Sequence, residues 1–290
     1  MDSPLRHRVL LSLRVERALG LRSVPRPQRA FTGAAESAAV TEVEASAEPV
    51  ASAAKTIAKA RAAPPPDVVQ CTDAPATGAM ATAAPFTGEA LDREEKIARL
   101  VAMDSVEVRC CTRCGLCNTR TNTVFGEGDV DARIFFIGEG PGENEDLSGR
   151  PFVGRAGQLL DKMIGAMGLA REQVYIANIV KCRPPNNRVP APDEAQTCMP
   201  YLVRQLELVR PAAIVTLGKS ATAYMLDDSK LTMGRCRGRW FAWRGIPLMP
   251  TFHPSYVLRT YTPETRKAVW SDLQLVMQKV GLPLPKRAAP

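Results

Sequence analysis

Histidine is nearly absent from this chain, with two residues in 290, His7 and His253. Any step that needs an imidazole therefore falls on His253, because His7 sits in an irregular, arginine-rich N-terminal stretch. Long apolar runs are missing as well. None approaches the roughly 20 residues that cross a bilayer, so no membrane-spanning helix is expected. Aromatic residues are scarce over the first ninety positions, where only Phe31 and Phe86 stand among alanines, prolines, serines and threonines. Such a stretch cannot bury enough apolar surface to offset the entropy of ordering. Residues 1–90 are thus expected to be a low-complexity, mostly disordered extension, and residues 91–290 a single folded domain.

The extension carries one feature of its own. Its first thirty residues hold seven arginines and the apolar run Val9–Leu13, enough for one short amphipathic helix near residues 5–20. The run is too short for a secretory signal, and Arg14 interrupts it. An organellar transit peptide and a helix offered to a protein partner both stay open. A soluble, intracellular protein is expected, cytoplasmic and associated with the nucleoid when acting, and monomeric.

Acidic residues are in deficit where the fold is expected. Residues 1–90 hold ten Lys/Arg against nine Asp/Glu, leaving 28 against 21 for residues 91–290, so nearly all of the net charge of +8 belongs to the domain. A basic domain suggests a polyanionic partner.

Cysteine is present, and its placement is informative. The eight cysteines, at 71, 110, 111, 114, 117, 182, 198 and 236, crowd around Cys111-Thr-Arg-Cys114 instead of spreading out as a secreted disulfide framework would. Metal ligation is the natural reading. A structural zinc commonly draws on two close pairs, whereas Cys182 and Cys198 have fifteen residues between them and lie far from the first pair. Four thiolates in that layout suit a cubane iron–sulfur cluster. Cys111, Cys114 and Cys117 also match the start of a ferredoxin motif, but Thr121 stands where its fourth cysteine would be. Zinc and unligated buried thiols remain alternatives, and Cys110 and Cys117 compete for the ligand positions; Cys236 has no assigned role.

Hydrophobic periodicity over residues 91–290 gives alternating elements. Helices are expected at 91–103, 155–167, 193–209, 219–225 and 263–280, and strands at 133–137, 174–179, 213–217 and 247–252. This alternation implies an α/β fold: a three-layer α/β/α sandwich around a central parallel sheet of about four strands. Ligands bind such sheets at the carboxyl ends of the strands. Three polar side chains, Glu139, Asn178 and His253, are expected at three such ends. Glu139 lies in Gly138-Glu-Gly-Pro-Gly142, whose glycines let backbone N–H groups approach a ligand.

Four motifs in order along the chain carry a family resemblance: residues 138–146 (GEGPGENED), 149–157 (GRPFVGRAG), 175–185 (YIANIVKCRPP) and 253–259 (HPSYVLR). They resemble the family-four, iron–sulfur uracil-DNA glycosylases over about residues 111–280. The resemblance implies a [4Fe-4S] cluster on Cys111, Cys114, Cys182 and Cys198. It also implies a monofunctional hydrolase of DNA base excision repair, which flips uracil out of single- or double-stranded DNA and breaks its N-glycosidic bond to leave an abasic site. The uracil pocket falls on Glu139, Gly140, Phe152, Asn178 and His253.

Each role has a chemical reason. An extruded base is read on its Watson–Crick edge while stacked on an aromatic face. Phe152 supplies that face. One amide, Asn178, donates to O4 and accepts from N3–H, a pattern that uracil satisfies and cytosine does not. His253 donates to O2 of the leaving base, and Glu139 stabilises the sugar cation or orients the attacking water. In the wider superfamily a hydrophobic residue four places beyond the histidine wedges into the duplex. Here that points to Val257, on a loop with Leu258 beside it and Arg259 set to meet a phosphate. Arg183 and Arg188, with Lys181, are expected to add backbone contacts.

Three other readings compete. A related family that removes hypoxanthine has a first motif without a carboxylate, so Glu139 favours uracil. Another relative traps the base covalently on histidine and carries a basic insertion ahead of it, and residues 245–252 show none. A catalytically idle DNA-binding or polymerase-associated module would have no need of Glu139, Asn178 and His253 together.

Overall fold

A computed structural model of the chain describes residues 84–86 and 89–284. The expectations for residues 1–83, including the helix near 5–20, lie outside these. Six strands form one sheet in the order β1-β3-β2-β4-β6-β5. They are β1 (Glu127–Gly128), β2 (Ile134–Gly138), β3 (Tyr175–Asn178), β4 (Ala213–Leu217), β5 (Phe241–Trp243) and β6 (Ile246–Thr251). The helices are α1 (Arg93–Ala102), α2 (Glu143–Ser148), α3 (Arg155–Ala166), α4 (Pro192–Val209), α5 (Lys219–Leu226), α6 (Met233–Cys236), α7 (Pro254–Arg259) and α8 (Pro263–Lys279).

The four strands expected from the sequence are the central, parallel ones: β2 pairs with β3 and β4, and β4 with β6. Each of β2, β3 and β4 is buried throughout, as a strand covered on both faces must be. Alternate residues point to opposite layers. Phe135 and Ile137 of β2 join a core with α1, α4 and α5, while Ile134 and Phe136 join a second core with α3, α7 and α8. The three-layer sandwich therefore stands. Its sheet is wider than expected, because two antiparallel edge strands, β1 and β5, close it on both sides. Both are too short, at two and three residues, for alternation to register. The β5–β6 hairpin turns on Arg244 (φ 47°) and Gly245 (φ 79°), two consecutive left-handed residues that match the twist of the flanking strands.

The helix expected over residues 91–103 is α1, started by Asp92, whose side chain accepts from the Glu95 N–H at 2.8 Å. It continues as a single π-helical segment, Met103–Val108, which delivers the chain to the cysteines. The segment after His253, expected to be a loop, is the helix α7. No helix among the described residues is long and apolar enough to cross a membrane.

Candidate functional site

The chain order runs from β2 to β3 on one side and then to β4 on the other, so the carboxyl ends of β2 and β4 flank a topological switch point. A cleft of about 450 Å³ opens there, lined by Glu139 and Gly140 after β2, Asn178 at the end of β3, Gly218 after β4 and His253 after β6. Phe152 forms another wall. The structure thus brings together all five residues expected for a base pocket, within the size range of small-ligand sites.

The approach is close. Gly138 is the register partner of Asn178, and a Cβ on it would strike both Asn178 Oδ1 and the Phe152 ring. Only glycine lets the two side chains meet over the strand end. On the far side, Gly218 (φ +88°) lets His253 pack against its backbone, where a Cβ would come within 2.9 Å of the His253 Cβ.

Phe152 holds a left-handed backbone (φ 50°), unusual for an aromatic and worth about 1–3 kcal/mol of strain. Two side chains over-determine it. The Glu145 carboxylate accepts from the amides of Val153 and Gly154, both at 2.8 Å, and from Gly142 N–H at 3.1 Å. From the other side the Arg171 guanidinium donates to the carbonyls of Pro151 and Phe152 and pairs with Glu127 at 2.8 Å and Asp161 at 2.6 Å. Neither was anticipated from the sequence. For Glu145 the signal was there: a glutamate three residues after a glycine N-cap can accept from the cap's own N–H, the one half of a capping box that glycine permits.

Asn178 is 1% exposed, and its Oδ1 is buried without a hydrogen-bond partner. An unpaired buried carbonyl costs about 1–3 kcal/mol. Its backbone oxygen is engaged by Lys181 Nζ at 3.0 Å. Lys181, expected to touch DNA, is instead 1% exposed, and burial pushes its pKa down to about 8.

His253 caps α7. Its Nδ1 accepts from Ser255 N–H at 3.1 Å, which leaves the proton of the neutral ring on Nε2. The ring lies 5.7 Å from that of Phe152, at 33°. Burial, with a smaller push from Arg259, drives its pKa from 6.5 down to about 4. Between those values the native chain binds fewer protons than the unfolded one. The stability contributed by the neutral ring is complete above pH 6.5 and is lost as pH falls through about 4. Wild type is therefore expected to lose more unfolding free energy than His253→Asn between pH 7 and pH 4.5 in urea titrations. Equal losses would contradict the depressed pKa.

The DNA-facing expectations fare unevenly. Val257 is 3% exposed and packed into the second core. It belongs to a helix, with its side chain turned inward, so it is not the residue that enters a duplex. On α7, Leu258 is half-buried, while Tyr256 (39% exposed) and Arg259 reach the surface. Arg259 lines the cleft, and Tyr256 lies on Phe252 with ring centroids 4.9 Å apart. Arg188 is matched by Glu194 through two bonds of 2.8 and 2.6 Å, and Arg183 Nε donates to Asn187 Oδ1 at 2.8 Å. The charge of Arg188 is therefore already paired before any phosphate arrives.

Cys111, Cys114, Cys182 and Cys198 line one small space, together with Cys117; Cys110 and Cys236 are not part of that lining. Three of the four expected ligands receive donors. Tyr201 O–H points to Cys111 Sγ at 3.5 Å, Arg120 to Cys182 Sγ at 3.1 Å and Lys181 N–H to Cys198 Sγ at 3.2 Å. Cys117 instead directs its thiol to its neighbour Asn118. Burial raises the thiol pKa values of Cys114 and Cys182, and pushes Cys198 up to about 12. Buried sulfurs supplied with N–H and O–H donors suit thiolates whose charge is taken up by metal. Among the described residues no three Cys, His, Asp or Glu converge tightly enough for a single ion. Four sulfurs lining one space, with donors aimed at three of them, are residues that could hold a metal group.

Comparison with known proteins agrees with this geometry. The family model of the uracil DNA glycosylase superfamily matches residues 125–274, which contain every residue of the cleft. A type-4 uracil-DNA glycosylase of Thermotoga maritima is 48% identical over 176 residues, spanning 60% of this chain and 92% of that protein. One from Saccharolobus solfataricus is 47% identical over 183 residues, with 60% and 84% covered. A third, from Sulfurisphaera tokodaii, is 45% identical over 189 residues, with 61% and 85% covered. Likeness at this level over nearly the whole of such relatives leaves one conclusion: the chain belongs to the uracil-DNA glycosylase superfamily, within its type-4 branch.

Proposed function

We propose that the cleft receives a uracil extruded from DNA and that the protein hydrolyses its N-glycosidic bond, leaving an abasic site for base excision repair. The observation that carries this reading is Asn178. Its unpartnered Oδ1 is a buried acceptor waiting for a donor, and uracil N3–H supplies one while the amide N–H group serves O4. Cytosine has no proton on N3 and an amino group at position 4, so it would leave the acceptor unpaired and oppose donor to donor. A site built to hydrogen-bond its substrate rejects such a mismatch strongly.

With the base stacked on Phe152, the C1′–N1 bond breaks and its electron pair passes to the base. His253 Nε2–H donates to uracil O2, where that charge accumulates; the low pKa keeps the ring neutral, so it donates without giving up a full proton. Glu139 faces the sugar, where its carboxylate stabilises the oxocarbenium-like centre and orients the water that adds to C1′. Arg259, exposed at the mouth, is available for a phosphate. Action as a monomer belongs to the same proposal.

The same reading assigns a [4Fe-4S] cluster to Cys111, Cys114, Cys182 and Cys198. When bound it ties the segment after the π-helical turn to the loop after β3 and to α4; the hydrolysis needs no electron from it. The chemistry is confined to residues 91–290, and DNA is the partner.

The test is an oligonucleotide bearing one uracil, incubated with the full chain and then treated with alkali. Strand cleavage at that position is expected, with cytosine and hypoxanthine controls intact. An uncut uracil strand would sink the proposal, and cleavage at hypoxanthine would shift the specificity away from Asn178.

A further inference from the structure

Lys181, 1% exposed, is engaged through both its side chain and its main chain outside the cleft. Its ammonium donates to Asn178 O at 3.0 Å and to Gln205 Oε1 at 2.7 Å. Its main-chain N–H points to Cys198 Sγ at 3.2 Å, and its carbonyl accepts from Val124 N–H at 2.8 Å. Gln205, on α4 and 0% exposed, is braced in turn by donating to Phe125 O at 2.9 Å and toward Tyr175 O–H at 3.5 Å. Two of the three ammonium donors are placed on these oxygens, which restrains the side chain between α4 and the end of β3, where Asn178 lies.

The need for it follows from the topology. Asn178 is the last residue of β3, and the Ile179 and Val180 amides beyond it bond to the Gly138 and Glu139 carbonyls. The Asn178 carbonyl is instead captured three residues on by the Lys181 side chain. With the Ile179 N–H of the same peptide group bonded to Gly138 O, that bond pins the second polar end of the peptide next to the Asn178 side chain, while Lys181 also reaches Gln205 on α4 and the cysteine lining. We infer that Lys181 is a positioning residue for uracil recognition: it holds the Asn178 amide in its reading orientation and links that orientation to the cysteine-lined segment.

This inference rests on the base-excision reading above and sharpens it. If Lys181 acts through Asn178, its loss must disturb what Asn178 does and little else. Lys181→Met keeps length and apolar bulk while removing the donors. Expected are a rise of about tenfold in the inhibition constant of free uracil and a fall of about 30-fold in single-turnover uracil release, with affinity for DNA lacking uracil changed less than about twofold. In an Asn178→Ala background the same substitution should cost less than about threefold, because residues that act through one another are not additive. A purely structural role would lower the melting temperature without moving the uracil inhibition constant, and its rate penalty would persist in full beside Asn178→Ala. Either result overturns the inference. Should Lys181→Met fail to fold, Gln205→Met removes the outer brace and is expected to raise the uracil inhibition constant in the same direction; an unchanged constant overturns it equally. A wild-type chain that neither releases uracil nor is inhibited by it would refute the base-excision reading itself, before Lys181 is at issue.

Discussion

Replacing His253 with alanine is expected to slow uracil release in single turnover by about 10²–10³-fold, the usual penalty for losing one preorganised donor to a developing anion. The only other histidine in the chain, His7, lies outside the described residues, and among those His253 is the one imidazole. The geometry sharpens the expectation. Nδ1 is committed to the Ser255 amide, so the ring presents Nε2 in a fixed direction, against Phe152 and beside the cleft. His253→Asn keeps a donor and a helix-capping acceptor and should lose less, while His253→Ala also removes the cap from α7. DNA binding should change little in either, because the contribution is made as charge develops on the base and not in the ground state. A rate for His253→Ala within a few-fold of wild type would move the leaving-group role to another residue.

The second large effect is expected at the cysteines. With the proposed cluster bound, the purified protein is expected to be brown, and Cys198→Ser to abolish that colour and lower stability by more than about 4 kcal/mol, since loss of a metal centre is among the few single-residue changes of that size. For a folded unit of this size that corresponds to roughly 8–16 °C in melting temperature. The position explains the magnitude. Cys198 lies on α4, the longest helix described, and is buried at its contact with the loop after β3. Releasing it removes one of the ties between the Lys181–Cys182 segment and α4, leaving that of Lys181 to Gln205. Cys236→Ser, on α6 and away from the cysteine lining, should keep the colour. Cys117→Ser is the more discriminating control, because Cys117 shares the lining while its thiol points to Asn118. Colour lost with Cys117 and kept with Cys198 would overturn the ligand assignment.

Why Val257 reads as an insertion residue in the sequence and as core in the structure is a matter of local geometry. Its spacing from His253 marks a position along the chain, but the side it faces depends on whether the chain there is loop or helix. In the helix α7, Ser255 and Arg259 share the cleft-facing side, and Val257 falls on the opposite side, among residues of α3 and α8. The same difference moved Lys181. As a lysine in a basic motif it looks like a phosphate contact, yet strand β3 ends three residues before it and turns it inward against Gln205.

The sequence by itself determined the sheet's four parallel strands and the polar residues at their ends, because fully buried strands and glycine-bearing turns are local patterns, whereas the set of four cysteines came only from the family resemblance. What only the tertiary structure decided is how these pieces are held. Glu145 and Arg171 clamp the strained Phe152, Gly138 admits Asn178 and Phe152 to one point, and Lys181 ties the strand end to α4. Those relations join residues up to tens of positions apart, and whether a carboxylate or an ammonium is buried and satisfied depends on partners that no window of sequence contains.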